Sequence, residues 1–464
     1  MKRLFGTDGI RGEAGRFPLD STTLRVAGRS LARHLAEQLG RPDESEKRAP
    51  RIVMGRDTRE SGTWIEQAFI GGAREAGAEV ESAGVITTPG VAYLTRTWPA
   101  DAGVVISASH NPYHDNGIKI FAPSGRKLDD ATERLIEADI SAEADGSGSA
   151  AAEPDLSPED ETAAGHVAAF RDRYLNYLAV EVADGLSLSG LSLVVDCANG
   201  AASELAPKLF ERLGGRVTAI NNAPDGRNIN RDCGSLHIEG LRQRVAAERA
   251  DLGVAFDGDA DRALFIDARG EFVDGDATLW VMAQYLAERN RLDGGQVVAT
   301  VMSNIGLEVA LRSKGLRLLR TDVGDKYVLE ELLRTGAALG GEQSGHIIFP
   351  ALSLAGDGMI TTLNLLRAMR ESGIGLEELT AGFTRYPQVL VNVRVREKLP
   401  FGEVEAIARA ARETEQRLGE TGRLLLRYSG TEPLARIMIE GERQDLIEQY
   451  ANNLASTIKE AIGS

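Results

Sequence analysis

The chain has 464 residues, 42% of them apolar, which is too long for a single core and rich enough to give each of two to four domains its own. A formal net charge of -16 excludes a broad nucleic-acid surface or a basic membrane patch, since either needs the opposite sign over a wide area, so any anionic ligand must be held by local basic residues. Two cysteines, Cys197 and Cys233, exclude a disulfide framework; with no signal-peptide stretch from Met1 to Asp8 and no apolar run able to span a bilayer, a cytoplasmic protein with no membrane and no nucleic-acid partner is expected.

In chain order, apolar β-branched runs alternate with amphipathic stretches of helical length, the pattern of βαβ units and parallel sheets. Three times a strand ending in polar residues is followed by a helix, a closing glycine and a second strand. The first strands are Arg51 to Asp57, Leu191 to Asp196 and Gln296 to Thr300; the helices after them close near Gly77, Gly214 and Gly315, each a candidate for the left-handed residue that ends a helix. Third strands begin near Asp101, Asp251 and Ala337, and Ala100-Asp101-Ala102-Gly103-Val104-Val105 resembles Ala250-Asp251-Leu252-Gly253-Val254-Ala255 position by position. Repeated α/β domains are the natural expectation. Between the first two lies the longest polar interruption, Ser141 to Gly165, with Pro154 and Pro158; it reads as an exposed linker and the first domain boundary. From about Thr384 the repeat stops. A strand at Leu390 to Val395, a helix near Val404 to Leu418, and two apolar runs in Leu424 to Glu440 split by Ser429-Gly430-Thr431 predict a smaller α+β domain.

The most polar motifs follow the three third strands, at the carboxyl ends where open parallel sheets bind ligands: Ser107 to Lys119, Asp257 to Arg262, and Gly341 to His346. Three equivalent loops facing one site are expected. Asp257-Gly258-Asp259-Ala260-Asp261-Arg262 sets three carboxylates at alternate positions around a glycine, so that three hard oxygen ligands can converge on one cation, with magnesium the best fit. An EF-hand fails because Arg262 and Ala268 stand where its glycine and glutamate belong. Ser107-Ala108-Ser109-His110-Asn111-Pro112 can present a hydroxyl while loop amides cradle a phosphate. Glu342 and Ser344, between glycines, suit sugar hydroxyls. Among basic residues near these loops, Arg11, Lys119, Arg262, Arg427 and Arg436 suit phosphate oxygens, whereas solvated surface charge is expected for Arg56 and Arg59. The chain has neither the G-x-S-x-G elbow of serine hydrolases nor the G-x-x-x-x-G-K-[ST] loop of nucleotide kinases.

Together these residues resemble the α-D-phosphohexomutase family, and within it the bacterial branch acting on glucosamine phosphates. The motifs run in order from Phe5 almost to the C-terminus: F-G-T-D-G-I-R-G, T-P-G-V-A-Y-L-T-R-T at Thr88, G-V-V-I-S-A-S-H-N-P at Gly103, D-N-G-I-K at Asp115, D-G-D-A-D-R at Asp257, G-E-Q-S-G-H at Gly341 and R-Y-S-G-T-E-P at Arg427. The resemblance implies four domains around a central cleft, three repeated mixed α/β domains plus a smaller C-terminal α+β domain: 1-160 with a phosphoserine loop, 161-254, 255-375 with the metal and sugar-binding loops, and 376-464 with a phosphate-binding loop. It implies interconversion of glucosamine 6-phosphate and glucosamine 1-phosphate through phosphorylated Ser109 and glucosamine 1,6-bisphosphate, with hexose-phosphate mutation on mannose or glucose as the alternative. One Mg²⁺ per chain is implied on Asp257, Asp259, Asp261 and a Ser109 phosphate oxygen. Arg262, Arg11 and His110 would neutralise charge, and Lys119, its pKa lowered among cations, would be general base. Glu342, Ser344 and His346 would bind the sugar; Arg427, Ser429, Gly430, Thr431 and Arg436 would grip the phosphate that is not transferred. A homodimer is also implied. At Val323-Gly324-Asp325 the mannose and glucose enzymes can carry a histidine last, so Asp325 is not credited with that role; Ala260 stands where glycine is usual.

Overall fold

In a computed structural model of the protein, residues 3–6, 8–40, 48–145, 161–430 and 432–464 are described. They form two compact units, Met1–Val301 with Leu319–Ala381, and Met302–Leu318 with Gly382–Ser464. Among the described residues no helix is long and apolar enough to cross a membrane.

One strand arrangement occurs three times. A first strand (Arg51–Arg56, Ser192–Asp196, Gln296–Thr300) has the second (Glu79–Val85, Arg216–Ile220, Arg317–Thr321) on one side and the third (Ala102–Ile106, Leu252–Phe256, Gly340–Gly341) on the other. First and third strands are parallel in every copy. A fourth strand (Asp115–Phe121, Ala263–Asp267, Ile347–Ile348) then pairs antiparallel with the third. The third strands of the first two copies are buried along their whole length, as inner strands covered on both faces must be, which is why they read as unbroken apolar runs. Because the fourth strand runs backwards, the chain reverses at the carboxyl end of the third, and each reversal is one of the polar motifs. The expected repeat is present to this level of detail. Its helices Gly62–Glu75, Ala202–Arg212 and Ile305–Ser313 are followed by Gly77, Gly214 and Gly315 at φ +82°, +91° and +72°, a conformation that costs glycine nothing.

A division at 254/255 would cut the strand Leu252–Phe256, whose ladder to Ala263–Asp267 pairs Phe256 with Ala263 and Leu252 with Asp267. The metal loop therefore closes a hairpin of the second sheet, and the expectation that it belongs to the third domain is corrected: a hydrogen-bonded ladder cannot be split between domains. Met302–Leu318, expected inside the third domain, packs with the C-terminal unit, where Asn304 donates to Glu440 at 3.2 Å and to the Tyr386 carbonyl at 3.0 Å. The interruption expected from Ser141 is helical at its start, since Asp130–Asp145 runs through Ala- and Glu-rich residues of high helix propensity. Residues 146–160 lie outside the described residues.

Helix Glu161–Asn176 and the π-helical turn Tyr177–Val182 lean on the first repeat, with Tyr177 stacked on Tyr93 and Phe170 edge-on to Trp98. Tyr174 donates from its hydroxyl to Asp357 at 2.6 Å, and the same carboxylate caps Gly358–Ser372 by accepting from the N–H groups of Met359 and Ile360. In the second unit an antiparallel sheet runs Gln388–Arg394, Leu434–Glu440, Arg423–Tyr428, under helices Glu405–Leu418 and Gln444–Ile462. The last helix was not expected, although Ile447, Ala451, Leu454, Ile458 and Ile462 carry its buried face at spacings of three and four.

Candidate active site

The serine loop leaves the strand Ala102–Ile106 and turns at Ser109, whose φ of +53° is left-handed and costs a residue with a Cβ roughly 1–2 kcal/mol. The turn directs Ser109 Oγ at the second sheet's loop, where it donates to Asp257 Oδ2 at 2.5 Å; His110 Nδ1 lies 3.3 Å from the same oxygen. Ser107 has a different job. Its hydroxyl donates to Asp57 Oδ2 at 2.7 Å and accepts from the Ser109 N–H at 2.9 Å, so it faces inward and braces the loop. Arg59 contradicts the expectation of a surface charge: its side chain is 0% exposed and ion-paired with Asp57 at 2.9 Å. Arg56 is also largely buried, against Glu66 at 3.0 Å. Both hold charge inside because a carboxylate meets each guanidinium.

Asp257, Asp259 and Asp261 are buried, with one oxygen of each within 4.8 Å of the others, and this group suits a metal ion. Asp259 Oδ1 and Asp261 Oδ1 are buried without a hydrogen-bond partner. Burial, then the charges of Asp261 and Asp259, hold the Asp257 carboxyl well above the usual range, as expected where several carboxylates share a buried site. An all-oxygen, anionic donor set with two buried oxygens free of hydrogen bonds fits a hard divalent cation. Ala260 turns the loop at φ +55°, in the left-handed region where glycine is usual. Gly258 is required by close approach, since a Cβ there would sit 2.5 Å from the Ser109 carbonyl oxygen. Thr88, not expected among the site residues, donates from Oγ1 to Asp259 Oδ2 at 2.5 Å and anchors the loop.

Lys119 points from the strand Asp115–Phe121 into the same group, with Nζ 2.9 Å from Asp259, 3.2 Å from Asp261 and 3.2 Å from Asp8. The expected lowering of its pKa is reversed: burial works downward, but Asp259, Asp8 and Asp261 outweigh it and hold the ammonium well above its ordinary value. Its ion-pair partners are three carboxylates, which outweigh the nearby Arg11. His110 also differs from expectation. Burial, then the cations Arg262 and Arg11, push it down to about 4, so the ring is neutral near pH 7 and its Nδ1 accepts from Arg262 at 3.2 Å. A cavity of about 460 Å³ is lined by Asp8, Arg11, Asp261, Arg262, Asp325, Glu342 and His346. All three expected loops thus meet within one unit. Glu342 accepts from the Gly324 N–H at 3.2 Å and from Ser344 at 3.3 Å, and Arg11 is ion-paired with Asp8. Asp325 pairs with Lys127 at 2.7 Å and lies 3.7 Å from His346 Nε2. Asp8 and Lys127 are further site residues the sequence reading missed; Asp8 stands in the expected F-G-T-D-G turn, whereas nothing local marks Lys127.

In the second unit Arg427 and Arg436 are directly opposite in the antiparallel ladder. Like charges so placed repel unless an anion joins them. Arg436 donates to Ser429 Oγ at 3.2 Å while its Nε is buried without a partner, and Lys398, also missed from sequence, donates to the carbonyls of Ser429 and Gly430. Three basic side chains thus lie around one turn, where Arg436 also pairs with Glu432 at 3.4 Å. Thr431 lies outside the described residues.

Four profiles of the phosphoglucomutase/phosphomannomutase family match: alpha/beta/alpha domain I at residues 2–146, domain II at 172–270, domain III at 274–386 and the C-terminal domain at 390–457. The chain is 50% identical over 465 residues to a phosphoglucosamine mutase of Solibacter usitatus, covering all of this chain and 99% of that protein. A crystal structure of a phosphoglucomutase/phosphomannomutase family protein from Burkholderia thailandensis superposes with a TM-score of 0.78 at 25% identity, over 99% of this chain and 98% of that one. The fold is also that of Aspergillus fumigatus N-acetylphosphoglucosamine mutase in complex with GlcNAc-6P and magnesium, with a TM-score of 0.63 at 18% identity over 99% and 96% of the two chains. With four family profiles matching along most of its length and a full-length relative at 50% identity, the chain belongs to the phosphoglucomutase/phosphomannomutase family.

Proposed function

We propose that the protein is a phosphoglucosamine mutase, interconverting glucosamine 6-phosphate and glucosamine 1-phosphate through phosphorylated Ser109 and a glucosamine 1,6-bisphosphate intermediate. The observation that carries the chemistry is Ser109 Oγ, held on a left-handed turn 2.5 Å from a buried aspartate of the triad. The full-length relative named phosphoglucosamine mutase supports the amino-sugar substrate. Asp257, Asp259 and Asp261, with an oxygen of phosphorylated Ser109, would hold Mg²⁺. Bound there, Mg²⁺ supplies positive charge to the phosphoryl group in transfer.

The remaining work falls to the chain. A sugar hydroxyl attacks the phosphorus, the P–Oγ bond breaks, and the hydroxyl proton ends on Ser109 Oγ, where Asp257 accepts it in a hydrogen bond. Turned over, the bisphosphate returns its other phosphoryl group to Ser109. Arg262, Arg11 and the ammonium of Lys119 stabilise charge on the transferring oxygens, and neutral His110 orients Arg262. Lys119 is thus assigned a cation's role, because its neighbours are acidic. Glu342, Ser344 and His346 bind sugar hydroxyls, and in the second unit Arg427, Ser429, Gly430 and Arg436 suit a phosphate. Because sugar phosphates do not cross membranes unaided, we place the reaction in the cytoplasm.

The cationic 2-amino group favours acidic surroundings, which Glu342, Asp325 and Asp8 supply. The test is kcat/KM on glucosamine, glucose and mannose phosphates, with glucosamine preferred by about tenfold or more, or about 1.4 kcal/mol. Equal turnover of mannose or glucose phosphates would make the protein a phosphomannomutase or phosphoglucomutase with the same mechanism.

A further inference from the structure

We infer that Arg59 and Asn230 are positioning residues for phosphoryl transfer, gripping the backbone carbonyls of the serine loop so that Ser109 stays in the conformation that aims Oγ at the aspartate triad; this rests on the mutase reading above. Ser109 is left-handed, and a serine so placed returns to ordinary backbone angles unless its surroundings overdetermine it. Within the loop the Ser107 hydroxyl accepts the Ser109 N–H and braces the turn from that side. The carbonyl side is restrained by two donors distant in sequence. Arg59 uses Nη2 on the carbonyl oxygens of Ser109 and Asn111, each at 2.9 Å, and Nη1 on that of Pro112. Asn230, from the second repeat, uses Nδ2 on the same two oxygens, at 2.9 Å for Ser109 and 3.0 Å for Asn111.

Each partner is itself fixed. Arg59 is locked by its Nε to Asp57 at 2.9 Å, and Asp57 also holds Ser107, whose hydroxyl receives the Ser109 N–H. Asn230 sits at φ +58°, and its N–H donates to the Ala198 carbonyl at 2.9 Å. The Ser109 carbonyl is therefore a meeting point: Arg59 reaches it from the first repeat, Asn230 from the second, and Gly258 of the metal loop packs against it with no room for a side chain. Serine loop and metal loop are registered through this one oxygen. Transfer geometry tolerates little error, so loosening the register should slow chemistry while leaving sugar binding, made by other residues, nearly untouched. A residue that merely supported the fold would not separate the two.

Asn230→Gly is the sharpest variant, because glycine accepts the same backbone angles and only the amide is deleted. Expected are a kcat lower by about tenfold or more, a KM for the sugar phosphate within about twofold, single-turnover dephosphorylation of Ser109 slowed by the same factor as kcat, and a shifted ³¹P resonance of the phosphoserine. Asn230→Asp, which turns a donor into an acceptor facing two carbonyls, should lose more. Arg59→Lys keeps the charge but not the fork, and should behave like Asn230→Gly if it folds. A folded Asn230→Gly enzyme with wild-type kcat and an unmoved ³¹P resonance overturns the inference. If the wild-type protein turns over no hexose phosphate, the mutase reading fails instead, and the two failures are distinct.

Discussion

The serine loop and the metal loop occupy the same place in successive copies of one strand pattern, yet they solve opposite electrostatic problems. Each joins a buried parallel strand to an antiparallel partner, and each turns at a non-glycine residue with positive φ, Ser109 in one and Ala260 in the other. In the serine loop, donors from Arg59 and Asn230 and the accepting hydroxyl of Ser107 satisfy the backbone and fix the turn. The metal loop instead crowds three buried carboxylates and leaves oxygens of Asp259 and Asp261 without partners. One loop is satisfied by the chain's own groups; the other keeps two buried carboxylate oxygens free of hydrogen bonds.

The largest effect should come from the complete loop. Ser109→Ala is expected to abolish mutase activity and to remove phosphate from the protein by intact-mass analysis, while Ser107→Ala, which disturbs only the brace, keeps a phosphorylated fraction. Phosphate mapped to Ser107 would reverse the assignment.

Asp259→Asn should come next, lowering activity by about a hundredfold or more as a charged ligand is lost. Its melting temperature should fall only modestly by comparison, because the buried Lys119 loses its nearest carboxylate but keeps Asp8 and Asp261. Full activity of the wild-type protein after exhaustive chelation would contradict this reading of the loop.

Asp357 supplies the smallest effect and a control, being a buried carboxylate whose partners are all protein: Tyr174 and the N–H groups of Met359 and Ile360. Burial raises its pKa from 3.8 to about 6 despite those hydrogen bonds. The folded state therefore holds this proton more tightly than the unfolded chain does, and the stability so gained is present in full below about pH 3.8 and lost as pH rises through about 6. The loss is on the order of 3 kcal/mol. Urea denaturation across this window should show a shallower fall in stability for Asp357→Asn than for the wild type; identical slopes would remove the residue from the account.

Much of this was legible in the linear chain because it depends on neighbours in sequence. Alternating apolar strands, glycines that end helices in left-handed conformation, three carboxylates at alternate positions and a serine after a buried strand are short-range facts, and they carried the repeat, the loops and the metal triad. What surrounds a charge is decided by which segments meet. Lys119 reads as one cation among Arg11 and Arg262, yet the fold sets its ammonium against Asp8, Asp259 and Asp261, reversing the direction of its pKa shift. Arg59 reads as surface charge, but Asp57 and three carbonyls take it into the interior. Asn230 carries no local signal, and its role exists only because the second repeat packs against the first. Even the domain boundary followed this rule: the strand that a cut at 254/255 would divide owes its place to a ladder with Ala263–Asp267. Turn chemistry and periodicity act over a few bonds and are written in the chain, whereas desolvation and charge pairing depend on distances that exist only once it has folded.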